Sequence, residues 1–308
     1  MLLIVSPNLC LDRIIVVRGF TTGRVHRAES VAELASGKGL NVARTARLLG
    51  VDVLVVGVLG GGSASRAFVQ DARDHGVPVS AVRVPGPLRI CTLVVDPGQE
   101  ETVINEPGPE VDADTGRKLL VRMRHALKRA QAVVLAGSLP PGVPPTFYAD
   151  AIRQSQPIPT ILDAAGEALR LGMDARPYLV KVNQQELQEA VGRPLDNLDS
   201  VMKAADEVRR TARGAVLITL GSQGALMVTA DGIWHFVPPE VERVNTIGGG
   251  DSLTAGLATG VLQGLPLVDA ARLGIAAAAA DVTTLLPGTV DPALVKQLVP
   301  RVHVRAMH

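Results

Sequence analysis

The run Asn245-Thr246-Ile247-Gly248-Gly249-Gly250-Asp251-Ser252 sets three consecutive glycines at the start of a helix and an aspartate in its first turn. The helix is legible from Leu253, Leu257, Val261 and Leu262, which share a face, and Gly264 and Pro266 end it. Bare N–H groups at a helix N-terminus, with the helix dipole behind them, attract anions. An aspartate beside such a site is out of place unless it accepts a proton. The chemistry that needs both is attack of a hydroxyl on a phosphate. Gly248, Gly249, Gly250 and Asp251 are therefore candidate catalytic residues. A glycine-rich turn with Asp251 as a helix cap is the plainer alternative.

Three further constellations stand beside this one. Ser36-Gly37-Lys38-Gly39-Leu40-Asn41 again runs glycines into a helix, closed by Gly50. Lys38 adds a point charge, and Asn41 can both give and accept hydrogen bonds, as sugar hydroxyls require. The spacing is not that of a Walker A loop, so P-loop chemistry is excluded. In Leu179-Val180-Lys181-Val182-Asn183-Gln184-Gln185-Glu186 a strand enters a helix. Asn183 and Glu186 read locally as a capping pair. At the C-terminal end of a parallel strand, Lys181, Asn183 and Glu186 could also hold nucleotide phosphates and magnesium-bound water. In Thr219-Leu220-Gly221-Ser222-Gln223-Gly224 a buried strand ends in two glycines, either a tight turn or a close approach to a nucleotide.

Positioning these groups falls to alternating strands and helices. Strands are expected at Leu2–Ser6, Val53–Val58, Val133–Ala136, Thr160–Asp163, Leu179–Val182, Ala215–Thr219 and Ala225–Thr229. Helices are expected at Leu40–Leu49, Ala64–His75, Ala113–Arg129 and Ser200–Thr211, with Ala276–Ala280 as good helix. The alternation predicts an α/β fold, a doubly wound, mostly parallel sheet covered on both faces. Arg13–Glu33 and Val79–Asn105 break the rhythm. Their strand candidates are Ile14–Val17, Val82–Val84, Cys91–Val95 and Thr102–Ile104, with turns at Val84-Pro85-Gly86-Pro87 and Asp96-Pro97-Gly98. They are expected to meet as one small sheet acting as a lid on a single 1–308 domain. Edge hairpins on the main sheet are the alternative.

Composition narrows the class. The chain is 47% hydrophobic but 2% aromatic, so Val, Leu, Ile and Ala must build the core and stacking on single-stranded nucleic acid is disfavoured. Lys plus Arg is 31 against 30 for Asp plus Glu, which leaves no global field for nucleic acid or anionic membrane. Cys10 and Cys91 form neither a CxxC nor a zinc spacing. The first residues suit a strand rather than a signal peptide, and the stretch Ser252–Val268 has no sustained apolar run, so a cytoplasmic setting is expected.

These motifs, with Asn8–Asp12, Arg89-Ile90-Cys91, Asn105–Val111, Gly137-Ser138-Leu139-Pro140-Pro141-Gly142 and Ile161-Leu162-Asp163, resemble the PfkB (ribokinase-like) carbohydrate kinases nearly end to end. Within that family the chain is similar to the branch containing 1-phosphofructokinase and tagatose-6-phosphate kinase. The resemblance implies Asp251 as catalytic base and Gly248, Gly249 and Gly250 as an anion hole. Lys181, Asn183, Thr219, Gly221 and Gly224 would lie along ATP, with Gly248 and Gly250 at its phosphates. Glu186, with Asn183, would order Mg2+, mostly through water. Asp12, Gly37, Lys38 and Asn41 would hold the sugar, and Arg89 and Ser138 its existing phosphate or nearby hydroxyls. Arg24 corresponds loosely to a basic position that reaches across a homodimer formed through the lid. Leu9-Cys10 departs from the usual Pro-Ala, Val182 from a proline, and Gly249 from alanine or serine; none removes a catalytic group. The implied activity is ATP-dependent phosphorylation of a ketohexose phosphate, fructose 1-phosphate first, with tagatose 6-phosphate or fructose 6-phosphate as alternatives. A neutral-sugar kinase or a non-catalytic sugar-phosphate sensor stands further off. A nucleotide-binding oxidoreductase is excluded, because no GxGxxG follows the first strand.

Overall fold

The computed structural model describes residues 1–97 and 101–307. Its strands, in chain order, are β1 (Leu2–Asn8), β2 (Cys10–Val16), β3 (Ser30–Ser36), β4 (Val53–Gly61), β5 (Val79–Pro87), β6 (Ile90–Val95) and β7 (Thr102–Asn105). They continue with β8 (Ala132–Ala136), β9 (Thr160–Asp163), β10 (Leu179–Asn183), β11 (Ala215–Thr219), β12 (Ala225–Val228), β13 (Ile233–Val237) and β14 (His303–Met307). Among the described residues ten strands form the main sheet in the order β14-β13-β12-β11-β10-β9-β8-β1-β4-β5. From β11 to β5 every pairing is parallel, and β12 to β14 add an antiparallel edge. The continuous apolar runs explain the position: β1 is buried at every residue, as a strand covered by helices on both faces must be. The fold is the expected α/β architecture.

The helix Gly249–Leu262 is not amphipathic in place. Ser252, Thr254 and Thr259 are as buried as Leu253 and Leu257, so the single apolar face read from the sequence understates its burial. It lies against the helix Leu267–Asp281, and glycines set that closeness: a Cβ on Gly256 would stand 2.8 Å from the Gly274 Cα. A helix apolar all round belongs at the centre of a protein.

The remaining strands form a separate sheet in the order β3-β2-β6-β7. Only Leu9 separates β1 from β2, so the chain leaves the main sheet almost directly for the small one. Register puts Cys10, Asp12 and Ile14 on the same face as Ser36, Leu34, Cys91 and Leu93. The apolar residues of that face pack against Ile247, Leu285 and Leu286 of the main body.

Two expectations about this sheet need correction. Val79–Pro87, with Val82–Val84 inside it, belongs to the main sheet, where β5 runs parallel beside β4 as the edge strand. The helix Gly62–Asp74 between them makes a βαβ crossover, whose return strand joins the same sheet, and an edge tolerates Pro85 and Pro87. The first arm of the small sheet also starts earlier and ends later than residues 13–33, at Cys10 and Ser36. Of the turn Asp96-Pro97-Gly98, Gly98 lies outside the described residues. No helix among the described residues is long and apolar enough to cross a membrane.

Candidate active site

The chemistry-bearing side chains collect at the C-terminal edge of the parallel strands, where open α/β sheets hold ligands. Gly248 caps the central helix with φ 96°, and a Cβ there would meet the Pro287 Cβ at 2.6 Å. The cap has no side-chain hydrogen bond, so the first N–H groups of the helix are left to other partners. Asp251 follows in the first turn, buried, and Asn41 Nδ2 donates to its Oδ2 at 2.8 Å. Burial, then the nearby Asp163 charge, pushes the Asp251 carboxyl up to about 6, against the pull of Lys38, Lys181 and Asn41. Such a carboxylate is ionised at neutral pH yet close enough to it to accept a proton in a reaction.

Asn41 belongs to a longer chain. The Ser36 hydroxyl lies 2.6 Å from Asp12 Oδ2 and 3.2 Å from Asn41 Oδ1; its single proton serves the shorter contact. Arg44, 1% exposed, donates to Asn41 Oδ1 at 3.3 Å and to the Pro287 carbonyl at 2.8 Å, and also to the Ala35 carbonyl. Asn41 is thus pinned with its amide nitrogen toward Asp251. Burial raises the Asp12 carboxyl above the ordinary range, against hydrogen bonds from Ser36 and Cys10.

A second group centres on Asp163, fully buried at the end of β9. Lys38 Nζ lies 2.9 Å from its Oδ1, Lys181 Nζ 3.1 Å from its Oδ2, and Thr254 Oγ1 donates to it at 2.9 Å. Burial alone would raise this carboxyl, but the two ammonium groups and these hydrogen bonds hold it well below the usual carboxylate range. Lys38 also reaches Glu186 Oε1 at 3.3 Å. Lys181 in turn sits against the glycine run, 3.2 Å from where a Cβ on Gly250 would stand. Glu186 and Asn183 form the reciprocal capping pair at the start of the helix Gln184–Val191, with bonds of 2.7 and 2.9 Å.

The third group lies on the small-sheet side. Arg89 Nη2 donates to the Asn8 carbonyl at 2.9 Å and Nη1 to the Glu106 carbonyl at 3.3 Å, while its buried Nε has no partner among the described residues. Asn8 Nδ2 donates to Ser138 Oγ at 2.9 Å. Among the described residues Arg89 and Lys38 share no hydrogen-bond partner: one faces Asn8 and Glu106, the other Asp163 and Glu186. At the far end, Thr219 closes β11 and Gly221 is open to solvent with φ 58°. Gly224 has an internal reason to be glycine, because a Cβ would strike the Phe236 carbonyl of β13. Gly37, with φ 98°, turns the chain from β3 into its helix.

The sequence matches the pfkB family carbohydrate kinases over residues 3–293. The chain belongs to this family. The kinase is 34% identical to 1-phosphofructokinase of Escherichia coli K12, over 92% of its own length and 91% of that protein's. It is 31% identical to 1-phosphofructokinase of Bacillus subtilis strain 168 over 99% of both chains. Its fold matches the crystal structure of phosphofructokinase-2 from E. coli in complex with fructose-6-phosphate, with a TM-score of 0.86, 27% identity and coverage of 97% and 98%.

Reading the kinase from sequence missed four side chains that build this site. Asp163 and Arg44 are described above. Asn8 links Arg89 to Ser138. Asp281, 1% exposed, accepts from the Gly288 N–H at 2.7 Å and points Oδ2, without a partner among the described residues, toward Gly248, 3.0 Å from where a Cβ would be. Burial pushes its carboxyl up to about 7. Asp163 and Asn8 stand in stretches that carry the family resemblance, but neither was given a role; Arg44 and Asp281 carried no signal. Arg24 is exposed in the loop between β2 and β3 and makes no hydrogen bond or ion pair among the described residues.

Proposed function

We propose that the kinase transfers the γ-phosphoryl group of ATP to the free terminal hydroxyl of fructose 1-phosphate, giving fructose 1,6-bisphosphate and ADP. The 1-phosphofructokinases to which it is similar along nearly its whole length favour this substrate over tagatose 6-phosphate and fructose 6-phosphate. Asp251 takes the hydroxyl proton on the carboxylate oxygen that Asn41 leaves free. The hydroxyl oxygen bonds to the γ-phosphorus as the bridge to the β-phosphate breaks, and ADP leaves. Gly248, Gly249 and Gly250 present N–H groups to the transferring oxygens. Lys181, Thr219 and Gly221 line the nucleotide side. Asp12, Ser36 and Asn41 offer the acceptors and donors that sugar hydroxyls need.

The observation that carries the sugar-phosphate reading is Arg89: a half-buried guanidinium linked through Asn8 to Ser138, with a buried Nε–H that has no partner among the described residues. Lys38, committed to Asp163 and Glu186, is read here as a bridge between sugar and nucleotide sides rather than a second grip on that phosphate. The donor set near Glu186 is oxygen-rich and fits magnesium. With one Glu186 oxygen capping the helix and the other beside Lys38, Glu186 and Asn183 would hold it through water. Bound there with the nucleotide, magnesium would neutralise phosphate charge.

The outer face of the small sheet carries Val31 and Ile104, 58% and 60% exposed. That apolar exposure supports a homodimer through the lid, and solution scattering that gives a monomer would remove it. The activity is tested by coupling ADP release to a panel of ketoses and ketose phosphates. The highest kcat/KM is expected for fructose 1-phosphate; a higher value for tagatose 6-phosphate, fructose 6-phosphate or free fructose overturns the assignment.

A further inference from the structure

We propose that Cys10, Asp12 and Cys91 form a binding site for a thiophilic divalent cation of the zinc class. One Sγ from each cysteine and one Asp12 oxygen lie within 4.8 Å of one another, and all three residues are buried. Cys10 Sγ is already 3.3 Å from Asp12 Oδ1. A tetrahedral zinc ion, with bonds of about 2.3 Å to sulfur and about 2.1 Å to oxygen, spaces its ligand atoms by about 3.6–3.8 Å. The cluster therefore closes on an ion with side-chain movements of about 1 Å at its widest pair. The Ser36 hydroxyl holds Asp12 Oδ2, which orients the carboxylate and leaves Oδ1 for the ion.

A disulfide is the competing use of two neighbouring thiols, and the sheet opposes it. Register pairs Asp12, not Cys10, with Cys91 across β2 and β6. Cys10 is thus one strand over and two residues along, which places the Cα atoms about 8 Å apart. Disulfides span about 4.4–6.8 Å, so bridging would require the strands to slide. A metal ion needs no such slide, because it adds its own bond lengths between the sulfurs. Two thiolates also select against magnesium, which demands oxygen ligands, so the site is chemically separate from the Glu186 region. The guanidinium groups of Arg44 and Arg89 lie close enough to stabilise the anionic ligand set.

The three ligands fill three positions of a tetrahedron. Under the functional reading above, Asp12 holds a sugar hydroxyl, and a bound ion takes that carboxylate away from it. The ion therefore competes with the sugar phosphate and not with ATP. The consequence for the sugar rests on that reading; the site itself does not.

Cadmium chloride, titrated into the intact protein without nucleotide, tests the site through its sulfur-to-cadmium charge-transfer absorption. One equivalent is expected to bind, and the doubly substituted Cys10→Ser, Cys91→Ser protein is expected to lose the band while staying folded. Should that protein fail to fold by circular dichroism, zinc protection of both wild-type thiols from iodoacetamide, read by mass spectrometry, decides instead. No band, a band that survives both substitutions, or thiols alkylated equally with and without zinc overturns the site. With excess magnesium, zinc at ten times its dissociation constant should raise the KM for fructose 1-phosphate about tenfold and leave that for ATP unchanged. Binding without this rise keeps the metal site and overturns the placement of the sugar at Asp12.

Discussion

Replacing Asp163 by asparagine separates what this residue does for stability from what it does for Asp251, the proposed base. In the native protein its carboxylate faces Lys38 at 2.9 Å and Lys181 at 3.1 Å, with no exposure of its own. Lys38 keeps Glu186 as a second partner, but Lys181, 4% exposed, has no other ion pair among the described residues and would be left charged and buried. Breaking a buried pair in this way costs about 3–5 kcal/mol, out of a total stability of about 5–15 kcal/mol. The same change acts on Asp251. Its carboxyl stands at about 6 against an ordinary 3.8, with burial the largest cause and the Asp163 charge the next. Asparagine removes that charge and leaves the pull of both lysines, while burial stays. Part of the elevation should vanish, so the acidic limb of kcat moves to lower pH. The base must be ionised to act, so wild-type kcat should fall as pH drops through about 6, and the variant's should fall later. The assay is kcat at saturating Mg-ATP and fructose 1-phosphate from pH 4.5 to 9, with urea denaturation alongside. Thr254→Val, which removes one hydrogen bond to Asp163 at a cost of about 1 kcal/mol, serves if the first variant unfolds. An acidic limb that stays put in a folded Asp163→Asn protein would falsify the electrostatic account of Asp251.

Asp251→Asn should lower kcat by at least about 100-fold with little change in nucleotide affinity, and near-normal turnover would remove Asp251 as the base. Arg89→Ala should weaken kcat/KM for fructose 1-phosphate by about 10- to 200-fold while barely touching activity on free fructose; an unchanged ratio between the two would mean that Arg89 does not read the phosphate. Glu186→Gln should raise the magnesium concentration needed for half-maximal rate, and a loss of melting temperature alone would leave the residue as a helix cap. Asp281→Asn addresses stability: a folded-state carboxyl raised to about 7 contributes stability below about pH 4 that is lost as pH rises through 7, so the variant should gain on wild type between pH 4.5 and 8. Equal melting-temperature differences at the two pH values would refute it.

Local signals made the helix starts legible. Glycine before a periodic apolar run identifies Gly37 and Gly248 as helix entrances without any tertiary knowledge, and both sit at positive φ. The capping pair Asn183 and Glu186 reads equally well, because its two bonds span three residues. What depended on distant partners was not legible. Lys38 looks like a free cation in sequence, but its counter-ion Asp163 is 125 residues away. Cys10 and Cys91 have no metal spacing along the chain and become neighbours only because β2 and β6 pair. The error at Val79–Pro87 had a different origin: turn residues within the segment outweighed the helix before it, although that crossover is the stronger rule.

A chain of polar contacts runs from Asp12 through the Ser36 hydroxyl, which donates to Asp12 and packs 3.2 Å from Asn41 Oδ1, to Asn41 and Asp251, from the small sheet to the central helix. Its first two members stand on β2 and β3 of the small sheet, its last on the central helix of the main body. A second tie runs nearby: Glu101 accepts from the Thr246 N–H at 2.7 Å and from the Thr246 hydroxyl at 2.9 Å, two residues before Gly248. The small sheet is therefore packed against Asn41, the partner of Asp251, and tied to the loop that leads into the glycine run. A shift of that sheet must alter the setting of Asn41 or of Thr246, and through either one the surroundings of Asp251. A sugar that contacts Asp12 would bind the sheet and tune the base in one event. A single water molecule offers fewer contacts than a sugar and would do so less well. Preference for a sugar hydroxyl over water would then follow from where the small sheet is tied, with no additional residue assigned to exclude solvent.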